Sequence, residues 1–147
     1  MGEQGEKCLL KGAVGVCNPF DFYVLDQHLE EFMFGLYHRT LGKHMLRLLK
    51  QHLEAFRPLE KKMGYTLEEG FSRVKTSRDF DNTFTSHVFD YHTAHNYYRK
   101  ASCAVKIDDV RTPTLFISAI DDPIVTYSLP YLIPDLETES FHIENVW

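Results

Sequence analysis

The residues best placed to do chemistry in this sequence are Asp121-Asp122-Pro123, which follow the apolar run Leu115-Phe116-Ile117-Ser118-Ala119 after one further isoleucine. A carboxylate just past the carboxyl end of a buried strand stands where open α/β sheets form their ligand crevice. The same three residues are also good turn chemistry, which needs no catalysis, so both readings stay open. Asp122 and His142 supply the last two members of a Ser–Asp–His order. His142, however, alternates within Ser140-Phe-His-Ile, a pattern that reads as the entry to a strand and as a structural position. His92-Thr-Ala-His95, with Asp90 nearby, can place two imidazoles on one helical face, as zinc sites do. No Glu base stands between them and the surroundings are rich in tyrosine, so they read as surface histidines and no metal is expected.

A serine nucleophile elbow needs Gly-x-Ser-x-Gly, in which the glycines permit the sharp strand-to-helix turn. Ser72, Ser77, Ser86, Ser102, Ser118, Ser128 and Ser140 all lack that setting. Among the 147 residues, 44% are hydrophobic and 25% charged, the balance of a globular chain long enough to bury a core. The net charge of −5 and the lack of a Lys/Arg-rich block argue against nucleic acid as the main partner. No apolar stretch approaches the roughly 20 residues of a membrane span. The start, Met-Gly-Glu-Gln-Gly-Glu-Lys, has no apolar segment behind its lysine, and Glu6 stands where a myristoylation signal wants Ser or Thr. Cys8, Cys17 and Cys103 are too widely spaced for a zinc knuckle or a redox pair, which suits a reducing compartment.

The elements that would position these residues follow from hydrophobic spacing. Leu9 to Cys17 reads as a buried strand, closed by Asn18-Pro19. Leu25, Leu29, Phe32, Met33 and Leu36 predict one amphipathic helix, with Asp21 as its cap. Leu41, Met45, Leu48, Leu49, Leu53 and Phe56 predict a second helix ending before Pro58. Lys61 to Gly70 reads as a polar loop with a helical piece at Leu67 to Glu69. Ser77 to Thr85 and Ala94 to Lys100 read as short helices around a loop at Thr85 to Tyr91. Pro113 to Ala119 is a strand, and Phe141 to Trp147 begins another. A strand, a block of helices and further strands make an α/β fold whose sheet is small for its helices.

Several segments, in order, resemble the YheT-like, embryogenesis-associated α/β-hydrolases. Val14-Gly-Val-Cys-Asn-Pro-Phe-Asp21 is similar to their Asn-Pro-(Phe/Trp)-Asp turn, and Arg78-Asp-Phe-Asp81 with Thr83 to their Arg-Glu/Asp-Phe-Asp helix start. Asn96-Tyr-Tyr98 with Ala101-Ser102, Val110-Arg-Thr-Pro-Thr-Leu, Ala119-Ile-Asp-Asp-Pro-Ile124, Ile133-Pro134 and Glu144-Asn-Val146 continue the match. The resemblance implies a serine esterase or lipase acting on acyl esters such as monoacylglycerols, with no cofactor. It implies a partial α/β-hydrolase fold with an incomplete parallel sheet, a helical cap over about 21–100 and an acid-loop strand at about 113–122. In that family the nucleophile and the catalytic histidine fall outside Met1 to Trp147, so the chain is expected to be a carboxyl-side piece holding one triad member. Ala119-Ile-Asp-Asp122-Pro-Ile-Val fits the family's acid loop with Asp122 as that member and Asp121 as the alternative.

The sequence therefore carries two expectations of different class. One is a piece of a carboxylic-ester hydrolase, on the cytoplasmic side or membrane-associated in the full-length protein, inactive alone. The other is a non-catalytic binding or regulatory module derived from the same fold. In both, the exposed edge of the short sheet invites a protein partner.

Overall fold

The computed structural model describes residues 1–125 and the backbone of 141–146; Ser128, Pro130, Ile133, Pro134, Ser140 and Trp147, and the side chain of His142, lie outside the described residues or side chains. The chain forms two compact units, one from Met1–Leu25 with Ser102–Trp147 and one from Asp26–Ala101.

The first unit is a parallel sheet. β1 (Ala13–Val16), β2 (Thr114–Ala119) and β3 (Phe141–Val146) lie in that spatial order, with β2 in the middle. Ala13 pairs with Thr114 and Val16 with Ile117, while Thr114 pairs with Phe141 and Ala119 with Val146. β1 is shorter than its apolar run. Its pairing begins at the Ala13 N–H, which donates to the Pro113 carbonyl at 3.0 Å, and Pro113 has no N–H to extend the ladder backwards. Leu9 and Leu10 are left outside the strand and exposed. At the other end Cys17 takes a left-handed backbone (φ 46°) while its N–H donates to the Ile117 carbonyl at 2.8 Å.

One face of this sheet is packed. Phe116 lies edge-on to Phe20, with ring centroids 4.7 Å apart, and Ile107 and Val110 of the same unit are also buried. A Cβ on Gly15 would fall 2.7 Å from the Phe116 ring, so the aromatic core needs glycine there. The other face is different. Val14 and Val16 are 62% and 66% exposed, although parallel sheets ordinarily bury both faces.

The helical unit departs from the predicted elements at four places, one of them a helical turn at Ser86–Val88 inside the loop expected at Thr85 to Tyr91. α1 (Phe22–Glu31) starts where expected, its first turn capped by Asp21, whose carboxylate accepts from the Tyr23 N–H at 2.7 Å and the Val24 N–H at 3.3 Å. It stops early, because Met33, Phe34 and Gly35 are all left-handed (φ 46°, 56° and 71°) and reverse the chain. Phe32, Met33 and Leu36 thus leave the predicted stripe and are exposed. Gly35 was the helix-stop signal, and the apolar spacing across it masked the break.

α2 (Leu36–Gln51) begins five residues before Leu41, and His52 separates it from α3 (Leu53–Phe56). The predicted loop at Lys61 to Gly70 is instead mostly helical, in α4 (Glu60–Met63) and α5 (Leu67–Arg73). α5 opens on a capping box in which Thr66 and Glu69 exchange bonds, a Thr-x-x-Glu pattern visible in the sequence. α6 (Ser77–Phe80) repeats the device with Thr76 and Asp79, then passes through a π turn at Asp81–Thr85 into α7 (Ser86–Val88). α8 (Ala94–Ala101) completes the unit.

Leu49, Leu59, Met63, Leu67 and Phe84 form its core, with Leu46, Leu53, Phe56 and Phe71 packed around them. α2 and α6 cross closely at Gly42, where a Cβ would meet the Thr76 carbonyl carbon at 2.4 Å. That crossing admits no side chain.

Candidate active site

β2 is the central strand, so the turn after it opens at the carboxyl edge of the sheet. Asp121 is exposed and Asp122 half-buried. The Asp122 N–H donates to the Ala119 carbonyl at 3.4 Å, closing the turn. Its Oδ1 accepts the Ile124 N–H at 2.8 Å and the Val125 N–H at 2.9 Å. Two backbone donors on one oxygen fix the plane of the carboxylate. An oriented acceptor of this kind is what a histidine needs to be held in one tautomer. The same two bonds make the turn and hold the carboxylate in one orientation.

The register of the sheet removes His142 from this edge. It pairs with Leu115, four residues before Ala119, which is about 13 Å back along the strand. The histidine pair changes as well. His92 is left-handed (φ 64°) and precedes α8, so it shares no helical face with His95. Among the described residues no group of three His, Cys, Asp or Glu side chains converges to hold a metal.

A second cluster of charge, missed from the sequence, lies within the helical unit. Asp26 on α1 and His38 on α2 are both buried, and Asp26 Oδ2 accepts from Arg78 Nε at 2.6 Å and from its Nη2. His38 Nε2 lies 3.3 Å from Asp26 Oδ1 and 3.2 Å from the Arg78 backbone nitrogen. Burial pushes the Asp26 carboxyl up, but the His38 ring and the Arg78 guanidinium outweigh it and hold the group below the usual carboxylate range. Asp81 goes the other way. Burial raises it above that range, although the Tyr98 hydroxyl donates to its Oδ2 at 2.8 Å. Arg78, Asp81 and Tyr98 all belong to the motifs that carry the family resemblance. Here they tie α1, α2, α6 and α8 together, and their hint was an acid, Asp26, three residues before buried Leu29.

Comparison with known proteins places these features. Monoacylglycerol lipase of Saccharomyces cerevisiae is 34% identical over 134 residues, covering 88% of this chain and 29% of the lipase. The embryogenesis-associated protein EMB8 of Picea glauca is 31% identical, covering 84% and 27% respectively. A medium-chain fatty acid ethyl ester synthase/esterase of Saccharomyces cerevisiae is 26% identical, covering 90% and 33%. The chain therefore spans about a third of the length of the curated relatives it matches. No family model and no solved structure matches it. These relatives, matched across most of its length, show that the chain belongs to the α/β-hydrolase family.

Proposed function

We propose that the protein in its complete form hydrolyses carboxylic esters of lipid type, and that Asp122 is the acid of its Ser–Asp–His triad. The observation that carries this reading is the Asp122 carboxylate, held by the Ile124 and Val125 N–H groups beyond the central strand. The names of two relatives, a monoacylglycerol lipase and a fatty acid ethyl ester synthase/esterase, support acyl esters as the substrate class.

In this mechanism a serine oxygen attacks the acyl carbonyl while a histidine removes its proton. Asp122 accepts the other ring N–H of that histidine and stabilises the imidazolium that forms. Neither the serine elbow nor its flanking glycines occur among these 147 residues, so this chain contributes the acid. Val14 and Val16 form an exposed sheet face of the kind that helices of the complete protein cover.

A longer version of the protein carrying an elbow serine and a histidine is expected to hydrolyse nitrophenyl esters and to be blocked by a serine-directed phosphonate. The 147-residue chain assayed alone is expected to stay at the buffer rate, because a lone carboxylate forms no acyl-enzyme. Phosphonate-sensitive turnover by the short chain would refute the assignment of roles. An inert longer version would instead favour a binding module built on the same fold.

A further inference from the structure

The surface of the helical unit is electrically lopsided. The chain as a whole carries −5, yet α2 holds Arg39, Lys43, Arg47 and Lys50 and no acid. Leu36, Lys43, Arg47 and Lys50 recur at helical spacing on one exposed face, while His38, Gly42 and Leu49 are buried on the opposite one. The helix is roughly 24 Å long, so its cations form a stripe rather than a point. Between Lys43, Arg47 and Lys50 the surface dips into an open hollow of about 380 Å³, floored in part by Leu46.

At the amino end of this stripe stands the reversal between α1 and α2. Phe34 is 92% exposed, with Met33 at 53% and Leu36 at 48% beside it. The tip is held in place: Arg39 Nη1 donates to the Phe34 carbonyl at 2.8 Å, and Phe32 packs against His28 on one side and Tyr37 on the other. Of the two acids before the tip, Glu30 faces Arg78 at 3.4 Å and Glu31 is exposed. Water is a poor environment for such a group of large apolar side chains, and contiguous exposed patches of this kind mark interaction surfaces.

We infer that this face docks on an anionic lipid surface, with Phe34 and Met33 entering the acyl boundary and the α2 cations meeting headgroup phosphates. Apolar tip and basic stripe adjoin, as in interfacial helices that combine insertion with attraction to anionic lipid. The long stems of Lys43, Arg47 and Lys50 can lie along apolar surface with their charges in the headgroup layer. A polyanion such as RNA fits less well, because the exposed aromatic lies at the end of the cations, and the Phe71 ring beneath Lys50 Nζ, at 4.8 Å, is half-buried. The inference goes beyond ester hydrolysis, since a chain that turns nothing over still binds.

Flotation of the full chain with vesicles tests it, because aggregates sink whereas bound protein rises. Binding to phosphatidylcholine–phosphatidylserine vesicles is expected to exceed binding to phosphatidylcholine alone by about tenfold and to weaken with salt. Phe34→Ser, and separately Lys43→Glu with Arg47→Glu, are each expected to weaken it by about tenfold. All three side chains are exposed, so thermal melts of the variants should match the parent. Equal binding to both vesicles, binding unchanged in either variant, or tighter capture by a single-stranded oligonucleotide than by vesicles would overturn the inference.

Discussion

Asp122→Asn, made in a longer version that carries the serine and histidine, is expected to lower kcat by about 10⁴-fold. The reason lies in the turn. The asparagine oxygen can keep both bonds from the Ile124 and Val125 N–H groups, so the side chain stays in the same plane. Its amide nitrogen then occupies the place of the second carboxylate oxygen. A donor there meets the histidine N–H and favours the wrong tautomer, with the fold undisturbed. Asp121→Asn, at an exposed position on the same turn, should stay within about twofold of the parent. Steady-state kinetics on the two variants side by side decides the assignment. Equal effects, or a larger loss at Asp121, would exchange the roles of the two aspartates.

Arg78→Met is expected to destabilise the chain by about 3 kcal/mol, the cost of leaving a buried carboxylate without its cation. The figure sits at the low end of the usual range because the Arg78 side chain is 43% exposed and partly screened by water. pH gives the loss a signature. The folded-state pKa of Asp26 is depressed in the parent, so its contribution is present above about pH 4 and fades as acid protonates the carboxyl. In the variant, burial raises that pKa and the protonated form becomes acceptable, so the gap to the parent should narrow as pH falls. Adding Asp26→Leu to Arg78→Met should recover most of the stability, because no charge then remains buried. Urea midpoints at several pH values measure all of this. A pH-independent gap would mean that Arg78 matters by packing alone. Glu30, His38, Asp81 and Tyr98 share the neighbourhood and are unchanged in both variants.

The acid turn was legible because its physics is local. A mostly apolar run, Leu115 to Ile120, followed by Asp-Asp-Pro can do little besides end a buried strand, and Asp122 bonds the backbone two and three residues on. The choice between Asp121 and Asp122 needed the resemblance, since either carboxylate could have faced inward. The end of α1 was not legible in the same way. Apolar residues at helical spacing ran straight across Gly35, and spacing cannot tell a buried stripe from a protruding tip. The Asp26–His38–Arg78 cluster was out of reach for another reason, because Asp26 and Arg78 lie 52 residues apart and meet only when α1, α2 and α6 pack. The capping box at Thr66 and Glu69 marks the start of the helical piece expected at Leu67, while the charged residues around it hide how far that helix extends.

The left-handed tip sets stability against display. An L-residue with a bulky side chain in that conformation costs about 1–2 kcal/mol, and Phe34 sits there at φ 56° while burying almost nothing. Phe34→Gly should therefore raise the melting midpoint, by an amount equivalent to about 1 kcal/mol. A screen for thermostable variants would drift toward glycine at this position and erase the aromatic in doing so. Such a lineage would yield a sturdier protein that no longer reaches its surface, the usual cost of hardening a protein where function needs strain.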